Sequence, residues 1–381
     1  MVHQIVILGG GVGGTLLANL LSKKIRATDA QVTVIDATGR HVYQPGWLYI
    51  PFGEEKAQNL VKSERRLLRK GVNLIVGSAE RIDAARQTVV LANGSTIAYD
   101  TLVIGTGADL APDAVPGYAD GAHHFYSAEA AYKLKGMLET FEGGKLVIGV
   151  ADIPYKCPPA PLEFAFLVED YLTKKGVRAK TEITYLSPIN RVFTIEAVSD
   201  FVTPLLEERG IAYQTFFNTE SIDPLRKTVL SMEGDEISYD LLVLVPPHRG
   251  ATVVQASGLG DAQGWLPTDR HTLQVKDHPH IYALGDATDV PVSKRGSAAH
   301  FEAKVLANRI AMAVNPLKYA SADVQYDGRV LCFLEAGHGQ ASQIVFDFDH
   351  PPQPPAPNAF YHYEKVVFNK AYWYIVPNGI V

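Results

Sequence analysis

Two groups of residues in this chain have the types and spacing for chemistry. The first is a glycine string, Gly9, Gly11, Gly13 and Gly14, between the apolar run QIVIL and a leucine-rich helical pattern. Gly9, Gly11 and Gly14 fit G-x-G-x-x-G at a strand-to-helix turn. There the glycines permit a tight turn, close backbone approach to a pyrophosphate and close helix–sheet packing, and the helix N-terminus supplies donors. Asp36 closes the next apolar run, QVTVI, where a carboxylate can hold ribose hydroxyls, and Ala37 follows it. A glycine turn without a ligand is the bland alternative, and the position of Asp36 argues against it. The second group is a pair of cysteines, Cys157 in YKCPPAPLEF and Cys332 in RVLCFLEAGHG. Two cysteines exclude a disulfide framework and a four-cysteine zinc site. They leave either inert buried thiols or a redox pair. Cys157 precedes a helix that Pro158 and Pro159 can start, beside the cationic Lys156. Both surroundings favour thiolate over thiol.

Length and composition set the frame. With 381 residues and 47% hydrophobic content, the chain suits two or three domains with sizeable cores. A net charge of −6 argues against a nucleic-acid partner. No apolar run reaches the roughly eighteen residues of a membrane-spanning helix. No basic-then-apolar leader precedes the first strand, which points to the cytoplasm.

The elements that must position these residues follow from periodicity. QIVIL, the glycine string, the helical pattern and QVTVI form a βαβ unit. A run from Val72 to Val76, a hairpin around Ala92, Asn93 and Gly94, and a buried strand TLVIGTG follow. A second α/β pattern opens with KLVIGV, then a Pro-rich loop and a helix from about Leu162 to Lys174. Strands ITYLS and LLVLV extend it. IYALGDA and a helix from about Ser297 to Val314 are expected to return to the first domain. The expected division is 1–110 and 275–315 for the first domain, 111–274 for the second, and 316–381 for a C-terminal region. PPQPPAP at 351–357 is a stiff connector. The aromatic tail after it suits either a membrane interface or a helix packed on the body.

YDTLVIGTGA, which holds Thr106 and Gly107, resembles the strand–turn motif that two-dinucleotide-fold flavoproteins place against FAD. IYALGDAT, which holds Gly285 and Asp286, resembles their second FAD signature, whose aspartate binds the ribitol. The resemblance implies an α/β fold of two Rossmann-like dinucleotide-binding domains, glutathione-reductase-like, with Ala79, Lys294 and Gly296 also at the cofactor. Relatives with a nicotinamide donor carry a second glycine cluster where this chain has Gly149 alone and then Cys157. NAD(P)H is therefore not the expected electron donor.

YKCPPAPLE, LVPPHRG, ALGDATDVPVSKRG and CFLEAGHGQ resemble the matching segments of sulfide:quinone oxidoreductases and of the flavocytochrome c sulfide dehydrogenase flavoprotein. The resemblance covers nearly the whole chain. It implies attack by sulfide on a Cys157–Cys332 disulfide or trisulfide, two electrons passing to FAD and then to a quinone, and sulfane sulfur or polysulfide as product. Glu163 would move protons near the sulfur, or complement the helix start. Lys294 and the helix after it would stabilise negative charge on the reduced flavin, or Lys294 would be a plain solvated lysine. EKVVFNK resembles the quinone-pocket segment, with Lys365 and Phe368 as the matching residues. Leu331 and Phe333 flank Cys332 and complete an apolar slot for the quinone.

The chain also departs from that pattern. A third cysteine found in many of these enzymes has no counterpart between His123 and Ala130. No cysteine follows Tyr43, so FAD is expected to be non-covalent. His300 stands where the quinone enzymes often have a carboxylate, which makes imidazole the candidate proton carrier there. The expected setting is peripheral, on the cytoplasmic side of a membrane held through the aromatic tail, with homo-oligomerisation aiding so short a contact. The alternatives are a flavocytochrome c-type dehydrogenase donating to a haem subunit and a type-2 NADH:quinone reductase.

Overall fold

The computed structural model describes residues 2–292, 294–320 and 324–380. Strand β1 (His3–Leu8) leads through the glycine turn into helix α1 (Val12–Lys24) and strand β2 (Ala30–Asp36). Strands β3 (Asn73–Val76) and β4 (Thr101–Ile104) follow. Ile5, Val6, Ile7 and Leu8 are all buried. A continuous apolar strand of this kind belongs at the centre of a parallel sheet covered on both faces. Leu16, Leu17 and Leu21 of α1 supply the cover on one face.

A second sheet repeats the plan. It uses β5 (Gly144–Val150), helix α2 (Ala160–Lys175), β6 (Thr181–Leu186), β7 (Ile211–Gln214) and β8 (Leu241–Val245), in the parallel order β7-β6-β5-β8. Each unit also carries a three-stranded antiparallel sheet, at 79–98 and 219–238. Gly149 serves packing inside the second sheet, since a Cβ there would lie 2.7 Å from Cβ of Leu186.

Strand β9 (Ile281–Ala283) then pairs with β4, giving the first sheet the parallel order β9-β4-β1-β2-β3. Helix α3 (Gly296–Val314) packs along α1. Beyond it, β10 (Val330–Glu335) and β11 (Ala341–Phe346) form an antiparallel ribbon with Cys332 opposite Ile344. The Pro-rich connector leads to helix α4 (Ala359–Ile375), capped by the Asn358 side chain and packed on the ribbon. The aromatic tail is therefore a helix on the protein body, with one face left bare: Phe360, Tyr363, Val367 and Tyr374 are exposed.

Candidate active site

The glycine turn is built for a ligand. Gly9 has φ +108° and its carbonyl oxygen would lie 1.9 Å from a Cβ on Gly14, so α1 can sit close only because Gly14 is glycine. Gly13 is equally confined, against Leu284. Gly11 differs, because a Cβ there would meet open space. It is also the N-cap of α1, with no side-chain cap and no acidic residue in the first turn. Unclaimed N–H donors facing a space kept free of side chains suit an anion.

Asp36 organises this turn. One of its oxygens accepts the N–H of Gly10 at 2.9 Å, and the other accepts those of Thr38 and Gly39 at 2.9 and 2.7 Å. Ala37 is exposed beside it, and Ala79, partly buried against the core of the first unit, opens the first antiparallel sheet. Glu64, which nothing in the sequence singles out, is fully buried behind the turn. It accepts from Thr15 Oγ1 at 2.7 Å and pairs with His41 Nδ1 at 3.2 Å.

On the other side, Thr106 and Gly107 lie in the loop just after β4. Gly107 is left-handed with open space at its Cβ position, and Thr106 Oγ1 is buried without a hydrogen-bond partner. Gly285 is left-handed too, and its N–H donates to Glu302 over 2.5 Å. Burial pushes the Asp286 carboxyl up, against the pull of Lys156, Lys294 and Arg295. Lys294 donates to the carbonyls of Asp286 and Thr288 and lies 3.6 Å from the ring centre of Trp265. Burial lowers its pKa to about 8. Gly296 opens α3, whose first-turn donors also lack a side-chain cap. Ser293, beside Lys294, lies outside the described residues. An orphaned hydroxyl, two uncapped helix starts and glycines facing open space fit a dinucleotide stretched between Asp36 and Asp286.

The sulfur pair lies where the two α/β units meet. Cys157 is left-handed, with φ +53°, a strained conformation for a side chain and a recurrent mark of functional positions. Its N–H donates to the Lys294 carbonyl at 2.6 Å, which ties the loop after β5 to the loop before α3. Cys332 accepts from Nη1 of Arg295 at 2.9 Å. Arg295 itself is buried, and its Nε and Nη2 have no partner.

The expectation of a thiolate at Cys157 fails. Burial, then the Cys332 sulfur, then Glu163 push its thiol up to about 12, and the opposing cations Arg295 and Lys365 do not offset them. Lys156 is not among those cations: its ammonium reaches Gln44 Oε1 at 3.3 Å. Burial therefore favours the thiol over the thiolate at a reduced Cys157.

Glu163 is buried on α2. It accepts the Glu335 N–H at 2.9 Å and pairs with the ammonium of Lys365 on α4. Lys365 also lies 3.9 Å from Glu335 and 5.5 Å from the ring centre of Tyr49. Leu331 and Phe333 flank Cys332 on β10, both partly buried, and Phe368 packs against the same core as the two cysteines. His300 is buried on α3, its ring perpendicular to that of Phe301 at 5.4 Å. The structure therefore gathers Cys157, Cys332, Glu163 and Lys365 into one cluster. Arg295 and Glu335 belong to it as well, and no spacing in the sequence points to either.

The chain belongs to the pyridine nucleotide-disulphide oxidoreductase family, whose model matches residues 3–304. Among its relatives is the mitochondrial sulfide:quinone oxidoreductase of Mus musculus, 26% identical over 366 residues, or 92% of this chain and 79% of the relative. The mitochondrial sulfide:quinone oxidoreductase of Dictyostelium discoideum is 26% identical over 98% of this chain and 85% of its own length. The crystal structure of the sulfide:quinone oxidoreductase of Aquifex aeolicus superposes with a TM-score of 0.87 at 25% identity, covering 99% of this chain and 92% of that one.

Proposed function

We propose that this protein is a sulfide:quinone oxidoreductase that oxidises sulfide at Cys157 and Cys332 and passes the electrons through FAD to a quinone. One observation carries the reading. Where a nicotinamide-dependent relative needs a glycine turn after β5, this chain has Cys157, whose N–H is held by the carbonyl of Lys294, while the next residue, Arg295, donates to Cys332. FAD, when bound, accepts two electrons from sulfur and gives them up to the quinone. Gly9, Gly11, Gly13, Gly14 and Asp36 hold its ADP half, with Ala37 and Ala79 alongside. Thr106, Gly107, Gly285, Asp286, Lys294 and Gly296 hold the flavin half, which the uncapped start of α3 supports.

The residues divide the work by charge. Arg295 steadies negative charge on the Cys332 sulfur when the bond to Cys157 opens. Glu163 takes a proton near Cys157. Leu331, Phe333 and Phe368 form the apolar slot for the quinone ring, with Lys365 at its polar end and His300 as a further proton carrier. No described helix is long and apolar enough to cross a membrane. The bare face of α4, with Phe360, Tyr363, Val367 and Tyr374, suits a bilayer surface, a peripheral attachment.

Anaerobic titration tests the reading. Sulfide is expected to bleach the flavin of the purified protein, decylubiquinone to restore it, and Cys157→Ser and Cys332→Ser each to abolish the bleaching. Bleaching by NADH and not by sulfide would overturn it. Restoration by cytochrome c and not by quinone would favour a flavocytochrome-type dehydrogenase.

A further inference from the structure

We propose that Lys365, Glu335 and His362 form a proton exit that connects Glu163, beside the sulfur pair, to solvent. The inference rests on the sulfide reading above and assigns a role to Glu335 and His362.

The groups follow one another as ion pairs and hydrogen bonds, the widest step being the 3.9 Å between Lys365 and Glu335. Glu163, in the first turn of α2 and six residues after Cys157, pairs with the Lys365 ammonium. Lys365 lies 3.9 Å from Oε1 of Glu335, the residue that ends β10, and the other oxygen of Glu335 bonds His362 Nδ1 at 3.0 Å. The side chains of Glu163, Lys365 and Glu335 are 4%, 10% and 1% exposed, and the path reaches solvent only at His362, at 27%. Lys365 and His362 lie three residues apart on one face of α4, so one helix carries both relays past the ribbon. The groups facing His362 and Glu335 from other elements are Tyr49, whose hydroxyl donates to Glu335 at 3.2 Å, and Glu54. Glu54 in turn faces Asp170 and Lys174 of α2, and these three line a cleft of about 350 Å³ with Phe52, Leu167 and Tyr171. The path therefore ends at the partly exposed His362, which Glu54 of that cleft faces.

The chemistry needs such an exit. Attack by hydrogen sulfide forms a sulfur–sulfur bond to one cysteine, breaks the Cys157–Cys332 bond, leaves the other cysteine as thiolate and frees one proton. Closure of that thiolate on the persulfide makes a trisulfide and frees the second proton and two electrons. Bound FAD would take up the two electrons with one proton, so one proton per sulfide has to reach solvent. A buried carboxylate that keeps its proton stops after one turnover, and the Lys365 ammonium passes a proton to Glu335 as it takes one from Glu163. An acid–base step of this kind is worth about 100- to 10,000-fold in rate.

The test uses the FAD-loaded protein mixed anaerobically with sulfide at weakly acidic pH, in dilute buffer with an indicator dye. Flavin reduction and proton release are followed together, then reoxidation by decylubiquinone. His362→Ala is expected to slow proton release and flavin reduction at least about tenfold, with reoxidation unchanged and both losses restored by added imidazole. Glu335→Gln is expected to lose the same two signals without rescue, because the gap lies inside the protein. His350→Ala, at an exposed imidazole paired with Asp347, should change nothing. Unchanged proton release in His362→Ala, or a loss that imidazole does not restore, overturns the exit. A defect confined to reoxidation overturns it too and assigns the path to quinone protonation. Failure of sulfide to bleach the unsubstituted protein sinks the sulfide reading itself, and the exit with it.

Discussion

The Nη1 of Arg295 lies 2.9 Å from the sulfur of Cys332, while the carbonyl of the preceding residue, Lys294, holds the N–H of Cys157 at 2.6 Å. Two adjacent residues at the start of α3 thus grip both cysteines, one through its side chain and one through its backbone. A buried guanidinium with two unpartnered nitrogens is costly unless negative charge develops beside it. On the function proposed above, sulfide attack on a Cys157–Cys332 bond would develop such a charge on Cys332.

Arg295→Met should therefore slow sulfide-driven flavin reduction by about 100-fold, roughly the value of one charge-stabilising donor in a buried site. Arg295→Lys should recover part of the rate, since the ammonium keeps the charge without the planar fork. Rapid-mixing absorbance of the flavin band measures both. Equal rates in Arg295→Met and the unsubstituted protein would remove Arg295 from the reaction.

How far the sequence led can be judged at particular residues. The βαβ unit was legible because parallel strands and an amphipathic helix leave periodic signatures, and β1, α1 and β2 lie where QIVIL, the leucine pattern and QVTVI placed them. Cys332 was legible as a strand residue before a glycine turn. The charge state of Cys157 was not. Lys156 is adjacent in sequence but turns away to Gln44, while Arg295 and Lys365, distant in sequence, face the sulfur. Burial depends on the whole fold, and no local window reports it. Glu64, Glu335 and Arg295 escaped for the same reason, since each becomes a buried charge only when separate elements meet. The tail was legible as aromatic, and only the structure separates its packed face, with Tyr372 at 4% exposure, from its bare one.

Gly11 and Gly14 separate cofactor space from protein packing. Gly14→Ala drives a Cβ into the Gly9 carbonyl and should destabilise the fold itself. Gly11 has φ −78° and open space at its Cβ, so Gly11→Ala should fold normally and yet lose flavin, because the methyl group occupies the pyrophosphate's approach. The ratio of flavin to protein absorbance, read beside the far-ultraviolet circular dichroism, distinguishes the two. Full flavin content in Gly11→Ala would displace the cofactor from this turn.

Glu302 gives a pH signature. Burial raises its carboxyl from 4.5 to about 8, against the pull of the Gly285 N–H. The folded protein then holds a proton that the unfolded chain has already lost, so stability falls as pH rises from 4.5 to about 8. The slope from this one group is at most about 1.4 kcal/mol per pH unit. Glu302→Gln keeps an oxygen acceptor for Gly285 and removes the titration. Denaturant unfolding of the two proteins across this range should show curves that diverge toward high pH, with the glutamine variant the more stable. Parallel curves would mean that Glu302 is ionised throughout.

The bare face of α4 supplies the last test. Phe360, Tyr363 and Val367 fall three and four residues apart on one side of the helix, at 71%, 66% and 64% exposure, whereas Lys365 and Tyr372 point inward. Changing all three to serine leaves the buried side intact, so the sulfur site and α4 should stand. Each large apolar side chain withdrawn from water contributes about 1.5–3 kcal/mol when fully buried. Even partial immersion of three makes a loss of about 2 kcal/mol a modest expectation, near 30-fold in vesicle partitioning. Co-sedimentation with phosphatidylcholine–phosphatidylglycerol vesicles measures it. Sulfide bleaching of the flavin should be unchanged in the triple variant, while quinone turnover in vesicles falls with binding. Unaltered sedimentation would release α4 from the membrane and leave its aromatic face in need of another partner.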